Sequence, residues 1–138
     1  MLKGTLLQPQ ILAALARAGH RAQVLIADGN YPYSTKSNPR AEIVFLNLAP
    51  GQVSVTQVLE ALLGVVPIER AAVMRRDDGG SVPIWEEFAR LLPGVALEPL
   101  ALFDFYAAAQ SPDVCLVIAT GDQRQWANLL LTIGVVPP

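Results

Sequence analysis

Two short apolar runs constrain the fold more than any other feature of the sequence. Residues 22–27 read AQVLIA and residues 114–121 read VCLVIATG, and neither run contains a charged residue. A run of strand length without polar alternation is typical of a strand that is covered on both faces. Such strands occur in sheets with helices on each side, so the two runs favour a layered α/β fold with a largely parallel sheet.

Helical and strand patterns alternate along the rest of the chain. Pro9 and Gly19 mark the start and the stop of a first helix, and Ser54 or Thr56 supplies a cap for a second. The predicted helices cover residues 9–18, 54–66, 83–92 and 103–110. The predicted strands cover residues 22–27, 41–48, 71–75, 95–101 and 114–121, whereas residues 126–134 form either a last strand or a last helix. This alternation predicts a single layered α/β domain over residues 1–138, with a largely parallel sheet flanked by helices.

Composition narrows the choice of partners and compartment. Hydrophobic residues make up 52% of the chain and charged residues 16%, yet no run reaches the roughly 18–20 consecutive apolar residues that a membrane span needs. The surplus of apolar residues therefore favours a homo-oligomer. A net charge of -2 argues against a nucleic-acid partner. The N-terminus lacks a signal-peptide pattern and Cys115 is the only cysteine, so we expect a cytoplasmic protein.

The sequence lacks several common catalytic motifs. One histidine and one cysteine cannot build a His/Cys metal site, so the sequence predicts no metal centre. It contains no G-x-x-x-x-G-K-[ST] phosphate loop, no G-x-G-x-x-G fingerprint and no G-x-S-x-G elbow. Cys115 lies inside an apolar run, which favours a packed core thiol over a nucleophile.

The only histidine and an aspartate stand on either side of the first predicted strand. His20 is a candidate proton donor, because histidine alone has an unperturbed pKa near neutrality; a solvated histidine in a helix-to-strand connection is the plainer interpretation. Asp28 follows the strand at the edge where ligands bind in such sheets, but Asp-Gly is also a turn signal. If both residues lie at one end of the strand layer, an acid and an acceptor flank one crevice.

A third candidate segment is TGDQRQWANLL, residues 120–130. Here a predicted strand runs into Thr-Gly, and Trp126 and Asn128 follow two positions apart. Aromatic faces pack on the C–H faces of sugars and amides bind hydroxyl groups, so this pair suits a sugar in the same crevice. A plain core position for Trp126 is an equally open interpretation.

Three tyrosines complete the set of candidates. Tyr106 follows two phenylalanines, and composition alone favours a core position for it. Tyr31 and Tyr33 lie in the loop of residues 28–39, which is rich in Pro, Asn and hydroxyl residues. Such loops run over the surface and are often functional, so we expect both tyrosines at the surface.

The order of several segments is similar to that of a known family. The segments are MLKG at the start, then LARAGHRAQVLIADGNYP, AAVM, FDFY, and finally ATG followed by WANLLLTIG. In this order they resemble the RbsD/FucU family of sugar mutarotases. The resemblance spans most of the chain, is strongest over residues 1–32 and 103–134, and is weakest between residues 33 and 66.

The resemblance implies a fold, an assembly and an activity. The implied assembly is a ring-like homo-oligomer, a decamer or an octamer, with sites shared between neighbouring subunits and no cofactor. The implied activity is that of an isomerase, a mutarotase that interconverts the anomers of a monosaccharide such as L-fucose by acid–base ring opening. The same open chain also connects pyranose and furanose forms. Alternatives are D-ribose pyranase activity, a non-catalytic sugar-binding or transport-associated oligomer, and a purely structural interaction protein.

The resemblance also implies roles for individual positions. His20 matches the catalytic proton donor of the family, and Asp28 matches a sugar-binding carboxylate. The other implied substrate-binding positions are Glu69, Met74, Tyr106, Trp126 and Asn128.

Two positions depart from the family pattern, and a third distinguishes its types. Trp126 stands where the family usually has tyrosine, so the chain keeps a stacking face and an N–H donor but lacks the phenolic oxygen. Leu102 stands where many fucose-type members have arginine. Tyr106 favours the fucose type, because ribose-type members tend to have histidine there.

Overall fold

The computed structural model describes all 138 residues, and its six strands form one sheet. The strands are β1 (Gln23–Ala27), β2 (Glu42–Phe45), β3 (Ile68–Met74), β4 (Leu97–Leu100), β5 (Val114–Ala119) and β6 (Leu129–Ile133). The helices are α1 (Pro9–Arg17), α2 (Val55–Leu63), α3 (Ile84–Leu91) and α4 (Leu102–Ala109). All four predicted helices and all five predicted strands are present, and the α/β fold is confirmed.

The sheet is largely parallel, as predicted. Its strand order is β2-β5-β1-β6-β3-β4. β6 runs antiparallel to both of its neighbours, whereas the other three pairs are parallel. The carboxyl ends of five strands and the amino end of β6 therefore lie at the same edge, which we call the carboxyl edge. The opposite edge is the amino edge.

Apolar clusters cover the sheet on both faces. One face carries a cluster of 23 buried residues that includes side chains of α1, α2 and α3, and the other carries a cluster of 9 that includes side chains of α4. Along β1, Val24 and Ile26 belong to the first cluster, and Leu25 and Ala27 belong to the second. Burial on both faces explains why the sequence of this strand shows no polar alternation.

Two strand boundaries differ by three residues from the predictions. β2 ends at Phe45 rather than at residue 48, because its only partner β5 ends at Ala119 and the Leu46 N–H donates to the Ala119 carbonyl at 2.8 Å. β3 begins at Ile68 rather than at residue 71, because β6 supplies a partner as far as Ile133. The last apolar segment, which the sequence left open, is a strand.

The helices are short, and α2 has a well-defined start. The Ser54 hydroxyl accepts from the Gln57 N–H at 3.2 Å, and the Gln57 side chain accepts from the Ser54 N–H at 2.9 Å, which makes a capping box. Of the two predicted caps, Ser54 and Thr56, Ser54 is therefore confirmed. α2 ends before Gly64 rather than at residue 66. None of the four helices is long and apolar enough to cross a membrane.

Cys115 lies on β5 and is half-buried. Its thiol donates to the Gln23 carbonyl oxygen at 3.4 Å. Burial raises the pKa of this thiol, which lowers its thiolate fraction near neutral pH. These features agree with a packed thiol rather than with a nucleophile.

A glycine after β5 allows the loop of residues 46–53 to pack against the carboxyl edge. The Gly121 N–H donates to the Val53 carbonyl at 3.1 Å, and its carbonyl accepts from the Gly51 N–H at 2.6 Å. A Cβ atom at Gly121 would overlap the carbonyl oxygens of Ala49 and Gln52. The close approach of two backbone segments therefore requires glycine here.

We expect Gly121→Ala to lower the free energy of unfolding by about 1–3 kcal/mol, because the added methyl group displaces backbone atoms. Urea denaturation followed by circular dichroism measures the loss. Gly19→Ala is the matched control, because a Cβ atom there meets nothing within 4 Å. Equal unfolding midpoints for the two variants would contradict the steric argument.

Candidate active site

A cleft at the carboxyl edge brings together five of the seven predicted site residues. The cleft has a volume of about 330 Å³. The predicted residues that line it are Asp28, Met74, Tyr106, Trp126 and Asn128.

The sheet topology explains why these residues meet. Asp28 directly follows β1, and Met74 is the last residue of β3. Asn128 directly precedes β6, which runs in the opposite direction and begins at the same edge. The strand order places β6 between β1 and β3, so the three side chains are neighbours.

Asp28 is a buried carboxylate held by hydrogen bonds from two directions. It is only 3% exposed. Its Oδ1 accepts from the Asn30 N–H at 2.9 Å, and its Oδ2 accepts from the Asn128 amide nitrogen at 3.0 Å. In return, the Asn128 Oδ1 accepts from the Asp28 N–H at 2.8 Å. The amide of Asn128 therefore fixes both the backbone and the side chain of Asp28.

Burial changes the acidity of Asp28. Desolvation raises its pKa, hydrogen bonds from Asn30, Ala127 and Asn128 lower it in part, and the negative charge of Asp122 raises it further. The net result is a pKa above the usual aspartate value of 3.8. The cleft thus contains one carboxyl group that holds its proton more tightly than a solvated aspartate does.

The tyrosines of the 28–39 loop pack inward rather than over the surface. Tyr31 is 4% exposed, lines the cleft, and donates its hydroxyl to the Lys36 carbonyl at 2.6 Å. Tyr33 is half-buried and donates to the Asp28 carbonyl at 2.5 Å; burial raises its pKa to about 12. The expectation of a surface position is therefore wrong for Tyr31. The buried Asn38 amide donates to the Val114 carbonyl at 2.8 Å, which anchors the loop against β5.

Several polar groups of the cleft make no hydrogen bond within the chain. They are the Tyr106 hydroxyl, the Trp126 indole N–H and the side-chain amides of Asn30 and Gln125. The Tyr106 ring is held by an edge contact with Tyr31, with centroids 5.6 Å apart. These free donors and acceptors are available to a ligand that carries several hydroxyl groups.

His20 and Glu69 lie at the amino edge, away from the cleft. The His20 Nε2 and a Glu69 carboxylate oxygen are 2.9 Å apart, with side chains 43% and 31% exposed. The five-residue strand β1 separates His20 from Asp28, and at about 3.3 Å per residue it spans about 16 Å. The two residues therefore do not flank one crevice of a single chain.

Four residues that line the cleft were not among the predicted site residues. They are Asn30, Tyr31, Leu102 and Gln125. The sequence marks Leu102 only as a departure from the family pattern and Tyr31 only as an aromatic residue of the 28–39 loop. Two sequence signals point to the polar pair among them. Asn30 lies in the Asp-Gly-Asn turn, and Gln125 lies beside Trp126.

A mixed α/β sheet with a polar and aromatic cleft at its carboxyl edge is typical of α/β proteins that bind small molecules. The sequence model of the RbsD / FucU transport protein family matches residues 1–136. The chain belongs to this family.

Curated relatives and a solved structure agree with this assignment. The fucose mutarotase of Danio rerio is 32% identical over 155 residues, covering 100% of this chain and 96% of that protein. D-ribose pyranase 1 of Rubrobacter xylanophilus is 30% identical over 135 residues, covering 98% of each. The structure of Bacillus subtilis RbsD complexed with D-ribose has a TM-score of 0.86 and 23% identity, covering 99% of this chain and 100% of that chain, and it supports the fold.

The raised pKa of Asp28 predicts a pH-dependent contribution to stability. Because the pKa of Asp28 is higher in the folded protein than in the unfolded chain, its protonated form contributes to stability below pH 3.8. This contribution is lost as the pH rises through the folded-state pKa. We therefore expect Asp28→Asn to become more stable relative to the wild type as the pH rises from 4 to 7. Urea unfolding at several pH values measures the difference; a constant difference would contradict it.

Proposed function

We propose that the protein is a monosaccharide mutarotase, an isomerase that interconverts the anomers of a free sugar such as L-fucose by opening and closing the ring. The observation that carries this proposal is the buried Asp28 carboxyl group. It faces a cleft in which the polar side-chain groups of Asn30, Tyr106, Gln125 and Trp126 make no hydrogen bond within the chain. The full-length likeness to a fucose mutarotase and a D-ribose pyranase supports it. The cytoplasmic location predicted from the sequence is part of this proposal.

Ring opening needs one acid and one base. The acid protonates the ring oxygen while the base takes the proton of the anomeric hydroxyl group, and the reverse transfers close the ring on either face. Asp28 and the Tyr106 hydroxyl are the titratable groups that face the cleft and can exchange a proton with the sugar. General acid–base assistance of this kind accelerates a reaction by about 10²–10⁴.

His20 supplies the second proton-transfer group of the proposed mechanism. Its Nε2 is engaged by Glu69, so Nδ1 is the ring nitrogen that remains for the sugar. A carboxylate bonded to one ring nitrogen fixes the orientation and the tautomer of the imidazole. In this mechanism Glu69 orients His20 rather than binding the sugar directly.

The proposed site requires two copies of the chain, because His20 and Asp28 lie at opposite edges. Large apolar side chains are exposed at both edges. Phe45, Leu48 and Phe103 are 62%, 82% and 78% exposed at the carboxyl edge, and Val135 and Val136 are 65% and 78% exposed at the amino edge. A head-to-tail contact between these edges covers both patches and delivers the His20 of one subunit to the cleft of the next. Such a heterologous contact forms a closed ring when its rotation permits closure, and the proposed ring has eight or ten subunits.

The cleft favours a fucose-type sugar over ribose. Met74 and Leu102 form an apolar wall beside the polar groups around Asp28. A methyl group at C6, as in L-fucose, suits such a wall, whereas ribose has no carbon there to contact it. D-ribose pyranase activity is the second candidate. A sugar-binding oligomer without catalysis is the third, since Trp126 lacks the phenolic oxygen.

Exchange NMR between the α- and β-anomers of L-fucose and D-ribose tests the activity. We expect exchange at micromolar wild-type protein, faster for L-fucose, and a loss of about 10²-fold or more in His20→Ala. Arg90→Ala, an exposed change on α3, is the control and keeps wild-type exchange. No acceleration for any sugar excludes a mutarotase, and sugar-induced line broadening without exchange supports the non-catalytic alternative. Full activity in His20→Ala excludes His20 as the proton-transfer group.

Mixing two inactive variants tests whether the site is shared between subunits. His20→Ala and Asp28→Asn are co-expressed and compared with each variant alone. In a randomly mixed head-to-tail ring, about a quarter of the sites combine an intact His20 with an intact Asp28, so about a quarter of the activity returns. Absence of any recovery in verified mixed oligomers would show that each chain forms its own site.

A further inference from the structure

The loop between β5 and β6 carries Trp126 in an unusual backbone conformation. Trp126 has φ of 65°, in the left-handed region that bulky residues rarely adopt. Its half-buried indole lines the cleft. The amide groups of residues 123–127 donate no backbone–backbone hydrogen bond. Side-chain contacts must therefore hold this conformation, which is unfavourable by itself.

A buried aspartate fixes the first half of the loop. Asp122 is 3% exposed. Its Oδ2 accepts from the Val55 N–H at 2.9 Å, at the start of α2, and its Oδ1 accepts from the Arg124 N–H at 3.0 Å. A carboxylate at a helix N-terminus interacts favourably with the helix dipole, so Asp122 anchors the loop to α2.

Arg124 connects this anchor to two helices. Its Nε and one terminal nitrogen donate to the two Asp122 oxygens at 3.0 and 2.7 Å. Its Nη1 donates to both oxygens of Glu87 at 3.0 Å, on α3. Its Nη2 also donates to the Thr56 hydroxyl at 3.3 Å, on α2. These five contacts involve all three nitrogens of the guanidinium group.

We propose that Arg124 is a positioning residue of the cleft, which sets sugar affinity by holding the Trp126 indole in place. Arg124 stands two residues before Trp126, and Asn128, bound to Asp28, stands two residues after it. Trp126 therefore lies between two residues, Arg124 and Asn128, that hydrogen bonds hold in place. The expected effect of Arg124 on sugar affinity rests on the proposed function, whereas its expected effect on the position of the indole does not.

Electrostatic interactions keep the ion pair between Asp122 and Arg124 intact over a wide pH range. Burial raises the pKa of Asp122, but hydrogen bonds from Arg124 and Val55 outweigh it and leave the pKa below its usual value. Hydrogen bonding to Asp122 raises the pKa of Arg124, with a smaller contribution from Glu87. Both partners therefore stay charged at the pH values at which exchange is measured.

The first experiment is independent of any sugar. The chain has two tryptophans, and the Trp85 indole N–H has no hydrogen-bond partner, so Trp85→Phe removes no hydrogen bond and leaves Trp126 as the only indole. In this background, we expect Arg124→Met to shift the emission of Trp126 to longer wavelength and to increase its quenching by iodide. Arg17→Met is the control, because it breaks a single exposed ion pair with Glu42 at the amino edge. Unchanged emission and quenching in Arg124→Met overturn the proposal.

The second experiment separates binding from chemistry. We expect Arg124→Met to raise the KM for anomeric exchange about tenfold, equivalent to about 1.4 kcal/mol, with a kcat within about twofold of wild type. Arg124→Lys keeps the charge but cannot make the same five contacts, so we expect its KM to lie between those of the wild type and Arg124→Met. Measurements are made well below the melting temperature of each variant, so that loss of folded protein does not contribute.

The combined outcomes distinguish the two proposals. A displaced indole with an unchanged KM overturns the role of Arg124 in affinity. A fall in kcat alone likewise overturns it, because the loop then acts on the chemistry. If the wild type exchanges no sugar, the proposed function fails, and the fluorescence experiment still decides whether Arg124 positions Trp126.

Discussion

The mutual hydrogen bonding of Asp28 and Asn128 is the interaction on which the cleft depends. β1 and β6 are neighbours at the centre of the sheet, and their ladder ends at the pair Ile26 and Leu129. Beyond it, the Asn128 amide bonds both the backbone N–H and the carboxylate of Asp28. A buried carboxylate is unfavourable unless it is hydrogen-bonded, so this amide and the Asn30 N–H together allow a charged group to face the cleft. The amide also fixes where the Trp126 loop returns to the sheet.

Much of the fold could be predicted because burial leaves a direct mark on the sequence. The uninterrupted apolar runs of β1 and β5 follow from apolar clusters on both faces. The direction of β6 could not be predicted, because apolar residues at 129–133 fit either orientation of a strand, or a helix. The early end of β2 was equally hidden, since it depends on where its partner β5 ends. Local patterns report burial, whereas strand pairing depends on distant partners.

The candidate site shows the same division between local and distant information. Asp28, Trp126 and Asn128 could be selected because each stands next to a strand at the carboxyl edge. The predicted strand between His20 and Asp28 already implied that the two residues stand at opposite ends of it. The contacts of Arg124 with α2 and α3 leave no signal in the sequence, because Glu87 and Thr56 are 37 and 68 residues away from it. Only the packing of α2 and α3 against the loop brings them together.

In the proposed assembly, the division of the site between two edges has a consequence for the chemistry. Asp28 is buried and shielded by its own chain, whereas His20 and Glu69 are exposed until a neighbour covers them. Assembly then removes water from the imidazole at the same moment that it delivers the imidazole to the cleft. Trp126 offers an aromatic face and an N–H donor but no oxygen that could relay a proton. In the proposed mechanism, proton transfer to and from the sugar therefore falls on Asp28, Tyr106 and the His20 of the neighbouring subunit.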